Sequence, residues 1–380
     1  MTDGAHEPIA VTGLGAACAL GQGTEALLAG TLAGRPAFSQ VTRFDTERCR
    51  VKVAAQLPGS PALADELAAV VDDACGAAAL SSRERAAAPL LTALHSDPAA
   101  ARDPGESQVT GTTAAAVASR CGLGRAARTY TTACVASSTA VADAAMMIGA
   151  GLAERVVVAG GFLVDADCQG LFDAGRALAG DGQLRPFSKG RRGMLLGDAA
   201  AAVVLESATA ARGRGAPVLA AIAGWGRSGD AYHVCQPRPD GTGLAKAIGA
   251  ALRRAGVRHR DVGYVNASGT GTSYSDAAEA AALHLAFGDA VLGVPVSSTK
   301  SVHGHALEAS ALLELVATIL ALRHGQLPVN AGFLGPDADC ELDLVLGTPW
   351  ASKPSYALSI NAAFGGANTA LLVGATEGRQ

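Results

Sequence analysis

Three runs of this sequence gather side chains that could do chemistry. The first is Tyr130-Thr131-Thr132-Ala133-Cys134, directly ahead of the Ala-rich stretch from Ser137 to Gly149. A helix start carries partial positive charge and free N–H groups, which lower a thiol pKa and could bind an oxyanion. Cys134 therefore fits a nucleophile. It fits equally a small buried core cysteine, the reading that suits the other seven cysteines. The second run, Lys300-Ser301-Val302-His303-Gly304-His305, again precedes an apolar helix. One histidine at a helix start is ordinarily structural, whereas a lysine, a glycine turn and two histidines together suggest a site. The third, Asn266-Ala267-Ser268-Gly269-Thr270-Gly271-Thr272, follows a strand and suits a tight loop that binds a polar ligand. Ser268 does not sit in G-x-S-x-G, so no hydrolase elbow is indicated. Gly13-Leu14-Gly15-Ala16-Ala17-Cys18 only half matches a dinucleotide fingerprint and reads as a tight turn.

Elements that could position these runs follow from periodicity. Short β-branched or apolar runs predict strands at Ile9–Thr12, Val51–Ala55, Arg155–Ala159, Ala201–Leu205, Val218–Ile222, Val262–Val265, Val294–Ser298, Leu342–Leu346, Tyr356–Ile360 and Thr369–Val373. Helical material separates many of them, so the class is α/β with buried strands. Ser137–Gly149 is apolar on almost every side, with Asp143 its only charge, and must be enclosed all round. After His305, apolar residues at Ala309, Leu312, Leu313, Val316, Ile319 and Leu320 repeat at the helical period, interrupted by Glu314. Both helices follow a strand and a sharp polar turn. That pattern is an internal duplication, two related halves each giving one central helix, with helices sandwiched between sheets. The halves are expected to be residues 1–212, carrying Cys134, and 213–380, carrying Ser268, Lys300 and His305; Ala208–Gly215 is the join. Ala77–Gly105 reads as a surface excursion, with room for a short helix at Ala86–Leu94.

Composition narrows the class of function. The chain has 380 residues, 49% of them hydrophobic and 17% charged, which excludes disorder and provides for a large core. Glycine, 47 residues, is well above its usual share of roughly 7% and lets layers approach closely. A net charge of −4 gives no global attraction to nucleic acid or to an anionic membrane. The N-terminal run Met1–Pro8 has no cationic or apolar region of a secretory signal, and Ala309–Leu322 is too short to span a bilayer. Eight scattered cysteines without C-x-x-C argue against a zinc site and suit a reducing cytoplasm.

Taken together, the motifs resemble the elongating β-ketoacyl-acyl-carrier-protein synthases, the condensing enzymes of fatty-acid and polyketide assembly. The resemblance runs through Val11-Thr12-Gly13-Leu14-Gly15, Thr131-Thr132-Ala133-Cys134, Ala159-Gly160-Gly161 and Arg185-Pro186-Phe187 with Gly193 and Gly197. It continues in the Asn266–Thr272 loop, Glu279, Lys300-Ser301-x-x-Gly304-His305 and the run from Asn361 to Asn368. It implies the thiolase fold, two similar halves in five α-β-α-β-α layers, normally dimeric. Cys134 would take an acyl chain from an acyl carrier protein, and His305 would support the thiolate and thioester. Backbone N–H groups of Cys134 and Phe364 would form an oxyanion hole, with Phe364 as a gate. Thr270 and Thr272 would hold the phosphopantetheine arm, and Lys300 with Glu279 would be a buried supporting pair. No metal or resident cofactor is implied, the substrate arriving on the carrier's phosphopantetheine, and the second subunit would be identical or ketosynthase-like.

Departures from the family pattern shape the expected activity. Ser268 stands where the family has a histidine that assists malonyl decarboxylation, and a serine hydroxyl is neither a cation nor a base near pH 7. Asp198 is a shortened acidic residue, Met194 and Ala362 replace aromatics, and Glu308 interrupts a turn of small residues. The expectation is a ketosynthase-like acyltransferase that loads Cys134 and delivers the acyl group without decarboxylation. The alternatives are a decarboxylative synthase, with His303 or water in place of the missing histidine, and a chain-length-factor-like subunit without catalysis.

Overall fold

A computed structural model describes residues 8–95 and 109–376. Ten strands follow one another in a single hydrogen-bonded path, five from each half of the chain. In chain order the first five are β1 (Ile9–Cys18), β2 (Leu90–Leu94), β3 (Ala126–Tyr130), β4 (Arg155–Phe162) and β5 (Ala199–Glu206). The second five are β6 (Ala220–Gly229), β7 (Val262–Asn266), β8 (Val296–Ser297), β9 (Tyr356–Ala362) and β10 (Ala367–Gly374). The path runs β8-β7-β9-β10-β6-β1-β5-β4-β2-β3, so each half has the same internal order. The senses agree as well. In both halves the third, second and fourth strands are parallel, and the fifth is antiparallel to the fourth and the first. The halves meet where β1 pairs antiparallel with β6, Ile9 opposite Ile222.

Helices complete the layers. α1 (Leu63–Ala77) and α2 (Val109–Arg120) cover the outer face of the first half; α4 (Thr242–Ala255) and α5 (Ser273–Phe287) cover that of the second. Between the two half-sheets lie α3 (Ala136–Gly149) and α6 (Ser310–His324), each packed against strands of both. The period of two along a strand explains why the strands are apolar throughout: Val156 and Val158 join the central core, Val157 and Ala159 the outer one. In β10, Leu371 and Val373 face the centre while Ala370 and Leu372 face outward. The result is the five-layered α-β-α-β-α arrangement. Every residue of α6 from Ser310 to Leu322 is buried, as an all-round apolar sequence requires.

The structure corrects three local expectations. Gly13 and Gly15 lie inside β1, not in a turn, because a Cβ on either would collide with the carbonyl oxygens of Ala74 and Val70 in α1. Gly224 and Gly226 repeat the arrangement in β6 against Ala251 and Ala247 of α4. Ala77–Gly105 is not simply an excursion. It holds a capped helix, Ser82–Ala87, and then the fully buried strand β2 between β4 and β3, so the helix expected at Ala86–Leu94 is absent. A short leucine run flanked by parallel neighbours on both sides lacks alternation and reads like a helix. The rest of that segment, 96–105, and residues 1–7 of the N-terminal run lie outside the described residues. Leu342–Leu346 forms only an isolated bridge, Leu344 with Val296.

Gly226→Ala should force α4 away from the sheet and destabilise the protein by about 1–3 kcal/mol, the cost of overpacking. Urea unfolding checks it, and a midpoint equal to that of the wild type would contradict the close contact.

Candidate active site

Each central helix begins from a strained elbow. β3 ends at Tyr130, and Ala133, at a positive φ of 50°, opens the 3₁₀ turn Ala133–Val135 that leads into α3. Leu307 does the same at φ 42°, opening the turn Leu307–Ala309 that leads into α6. Such values are uncommon for residues with a Cβ, and here packing between the two turns holds them. Ser137 Oγ accepts the Leu312 N–H at 3.0 Å, which pins the two helix starts together. Cys134 lies in the first elbow, 9% exposed, and lines a cavity.

Ser268, Thr270, Glu279, His305 and Phe364 line that cavity with Cys134. Thr272 is bonded to Thr270 at 3.1 Å and Lys300 lies behind the loop, so neither joins the lining. Both expected to support the site are buried, but they do not pair. Lys300 Nζ forms an ion pair with Glu314 Oε1 at 2.6 Å and donates a hydrogen bond to the Ser268 carbonyl at 2.8 Å. Glu279 instead accepts the N–H groups of Ser268 at 2.6 Å and Gly269 at 2.8 Å, and burial pushes its carboxyl up to about 8. The Lys300–Glu279 pair is thus replaced by Lys300–Glu314, because the loop's N–H groups already engage both oxygens of Glu279. Glu314 also accepts from Asn361 Nδ2 at 2.6 Å.

The two histidines have different fates. His305 Nδ1 accepts the Leu307 N–H at 3.1 Å and lies 2.9 Å from Ser310 Oγ. An imidazole whose Nδ1 accepts carries its proton on Nε2. Burial, then the charge of Lys300, holds His305 well below the usual imidazole range, so it is a neutral donor. His303 does not reach the cavity. Its Nδ1 donates to the Gly304 carbonyl at 2.8 Å and its Nε2 accepts from Thr299 Oγ1 at 3.1 Å, and burial pushes it down to about 3.

Cys134 also departs from the sequence-based expectation of a lowered pKa. Burial, reinforced by the charge of Glu308, pushes the thiol up to about 12; Lys300 and the residue's own N–H oppose this only in part. The helix start does not outweigh desolvation. The Cys134 N–H lies within the 3₁₀ turn Ala133–Val135, and among the described residues the Phe364 N–H donates to no backbone carbonyl outside regular elements.

Phe364 is 43% exposed and stacks on Phe172, ring centroids 6.1 Å apart. Its loop is held by Asp230, whose N–H donates to the Gly366 carbonyl and whose Oδ1 accepts from Asn368 Nδ2 at 2.7 Å. Sequence reasoning missed Asp230 and Ser310, polar residues with no recognisable spacing. It could have found Glu314, the one charge in the buried part of α6 from Ser310 to Leu322, whose burial demands a cation. Met194 and Ala362 line the cavity; Asp198 does not, its carboxylate being taken by Arg43 and the N–H groups of Leu57 and Val164. Among the described residues no His, Cys, Asp and Glu cluster is placed to hold a metal, and no helix is long and apolar enough to cross a membrane.

Residues 77–211 match the N-terminal domain of β-ketoacyl synthase and residues 219–334 its C-terminal domain. Nodulation protein E of Rhizobium meliloti is 41% identical over 245 residues, 63% of this chain and 60% of that protein. 3-Oxoacyl-[acyl-carrier-protein] synthase 2 of Staphylococcus aureus is 34% identical over 249 residues, 63% of this chain and 61% of that protein. The chain therefore matches about 60% of the length of these curated relatives. Among solved structures, the ishigamide ketosynthase/chain length factor superposes with a TM-score of 0.90 at 28% identity, covering 98% of this chain and 100% of that one. A β-ketoacyl synthase from Burkholderia phymatum STM815 gives 0.88 at 28% identity, with coverage of 98% and 100%. The architecture is the thiolase fold of the ketosynthases. The chain belongs to the β-ketoacyl synthase family.

A thiol pushed up to about 12 is almost wholly protonated at neutral pH. Alkylation of Cys134 by iodoacetamide should therefore rise about tenfold per pH unit from pH 7 to 10 without a plateau. Mass spectrometry of the Cys134 peptide checks it, and a plateau near pH 8 would show an ionised thiol.

Proposed function

We propose that this chain is a ketosynthase-type acyltransferase that carries an acyl group on Cys134 and passes it on without decarboxylation. The observation behind this reading is the composition of the cavity. It offers a thiol and a neutral His305 donor, and among its described lining residues His305 is the one imidazole. Ser268 Oγ sits 3.4 Å from the Ala362 N–H, where it accepts a hydrogen bond and supplies neither charge nor base.

In the first half-reaction the Cys134 sulfur attacks a thioester carbonyl. The oxygen gathers charge beside the N–H groups of Cys134 and Phe364, and His305 Nε2–H stabilises the developing charge. Collapse breaks the bond to the donor's sulfur, which leaves with the Cys134 proton as the pantetheine thiol. The donor is an acyl carrier protein, consistent with the name of the Staphylococcus aureus relative. Thr270, backed by Thr272, lines the cavity where a pantetheine arm would lie. No resident cofactor enters this scheme. A dimer in the cytoplasm, with an identical or ketosynthase-like partner, completes the proposal.

Intact-mass analysis with acyl-carrier protein should show an adduct that Cys134→Ala abolishes. His305→Ala should keep the wild-type circular dichroism and lose acylation at least about tenfold, equivalent to roughly 1.4 kcal/mol. Carbon dioxide release from malonyl-carrier protein should be weak and partly restored by Ser268→His. Robust release by the wild type with a β-ketoacyl product would make the protein a decarboxylative synthase; no adduct and no release would leave a chain-length-factor-like subunit.

A further inference from the structure

Two thiols line the cavity. Cys134 reaches it from the first elbow, and Cys235 from the segment between β6 and α4. All eight cysteines are free, and six of them are buried. Burial pushes the thiols of Cys18, Cys134 and Cys340 up to about 12, which suppresses reactions that need a thiolate. Cys49 is half-buried, and Cys235 alone is exposed. The sulfur that solvent reaches directly thus shares a space with one that it hardly reaches.

Hydrogen bonds hold the backbone around Cys235 in place. The N–H groups of Cys235 and Gln236 both donate to His233 Nδ1, at 3.0 and 3.1 Å, and make a tight turn. On one side of it the Val234 carbonyl accepts the Gly365 N–H at 2.8 Å, next to Phe364. On the other side the Arg238 N–H donates to Asp230 Oδ2 at 2.9 Å. Pro237, Arg238 and Phe364 line the cavity together with Cys235. The space they enclose is narrow, about 40 Å³.

We propose that Cys235 is a modification site for low-molecular-weight disulfides, and that the adduct closes the cavity to reagents of Cys134. The Cys235 thiolate attacks one sulfur of the disulfide, and a new S–S bond forms as the old one breaks. The other half leaves as a thiolate and takes up the proton that Cys235 gave to solvent. Cys235 is oxidised to the mixed disulfide, and the departing half is reduced to a thiol. Anchored beside the Phe364 loop, the added group occupies the narrow space that both cysteines line. An excess of free thiol reverses the exchange and reopens the site. The closure holds whatever acyl chemistry Cys134 performs, so it stands apart from the acyl-transfer reading above.

The test treats the full chain with glutathione disulfide. Intact mass and peptide mapping should show one glutathionyl group, on Cys235. Two rates are then read: alkylation of the Cys134 peptide by iodoacetamide at alkaline pH, and acylation by acyl-carrier protein. Both should fall in proportion to the fraction of chains that carry the adduct, and dithiothreitol should restore them. Cys235→Ser, compared with its own untreated rates, should lose neither on treatment. Absence of an adduct on Cys235, or an adduct that leaves Cys134 alkylation unchanged, would overturn the proposal. Equal inhibition of Cys235→Ser would do the same. If the untreated wild type forms no acyl adduct, the acyl-transfer reading fails, and the alkylation rate still decides this proposal.

Discussion

A single buried ammonium organises the site. Lys300 is 1% exposed, and a cation so placed must be neutralised and hydrogen-bonded within the protein. It meets Glu314 from the middle of α6 and the carbonyl of Ser268 from the loop after β7. Through Glu314 it also fixes Asn361 near the end of β9, just before the loop that carries Phe364. Three separate segments are thereby set around Cys134 by one side chain. Removing one partner of such a pair costs about 3–5 kcal/mol, because the other is left charged and buried. The same charge, after burial, helps hold His305 neutral, so the scaffold's ion pair also sets the protonation of a cavity-lining ring.

The broad architecture was legible because burial leaves a strong mark on sequence. The α3 and α6 stretches are apolar on nearly all sides, which only enclosure between two sheets accommodates. Their matching turns betrayed the duplication. What escaped was conformation without compositional signal. Ala133 and Leu307 give no hint of positive φ, β2 resembles a helix, and Gly13 and Gly15 report a helix lying against a strand rather than a bend.

The site was legible in its members and less so in their relations. Cys134, Ser268, Thr270, Glu279, His305 and Phe364 do line one cavity. The partner of Lys300 and the protonation of Cys134 depended on quantities no motif carries: which carboxylate has free oxygens, and how far the thiol is removed from water. The His305 tautomer likewise follows from one backbone N–H, that of Leu307, which points at the ring only because the second elbow is bent as it is.

That bend reaches beyond the site. Residues in such backbone conformations cost on the order of 1–3 kcal/mol each and persist only where their surroundings hold them. Here the surroundings of each elbow are the other elbow, joined through Ser137 and Leu312, and each central helix is covered by strands from both halves. Neither half can therefore complete its core or stabilise its own strained turn in isolation. Two units by topology, the molecule should melt as one, with a cooperative boundary that encloses both repeats rather than running along the seam between them.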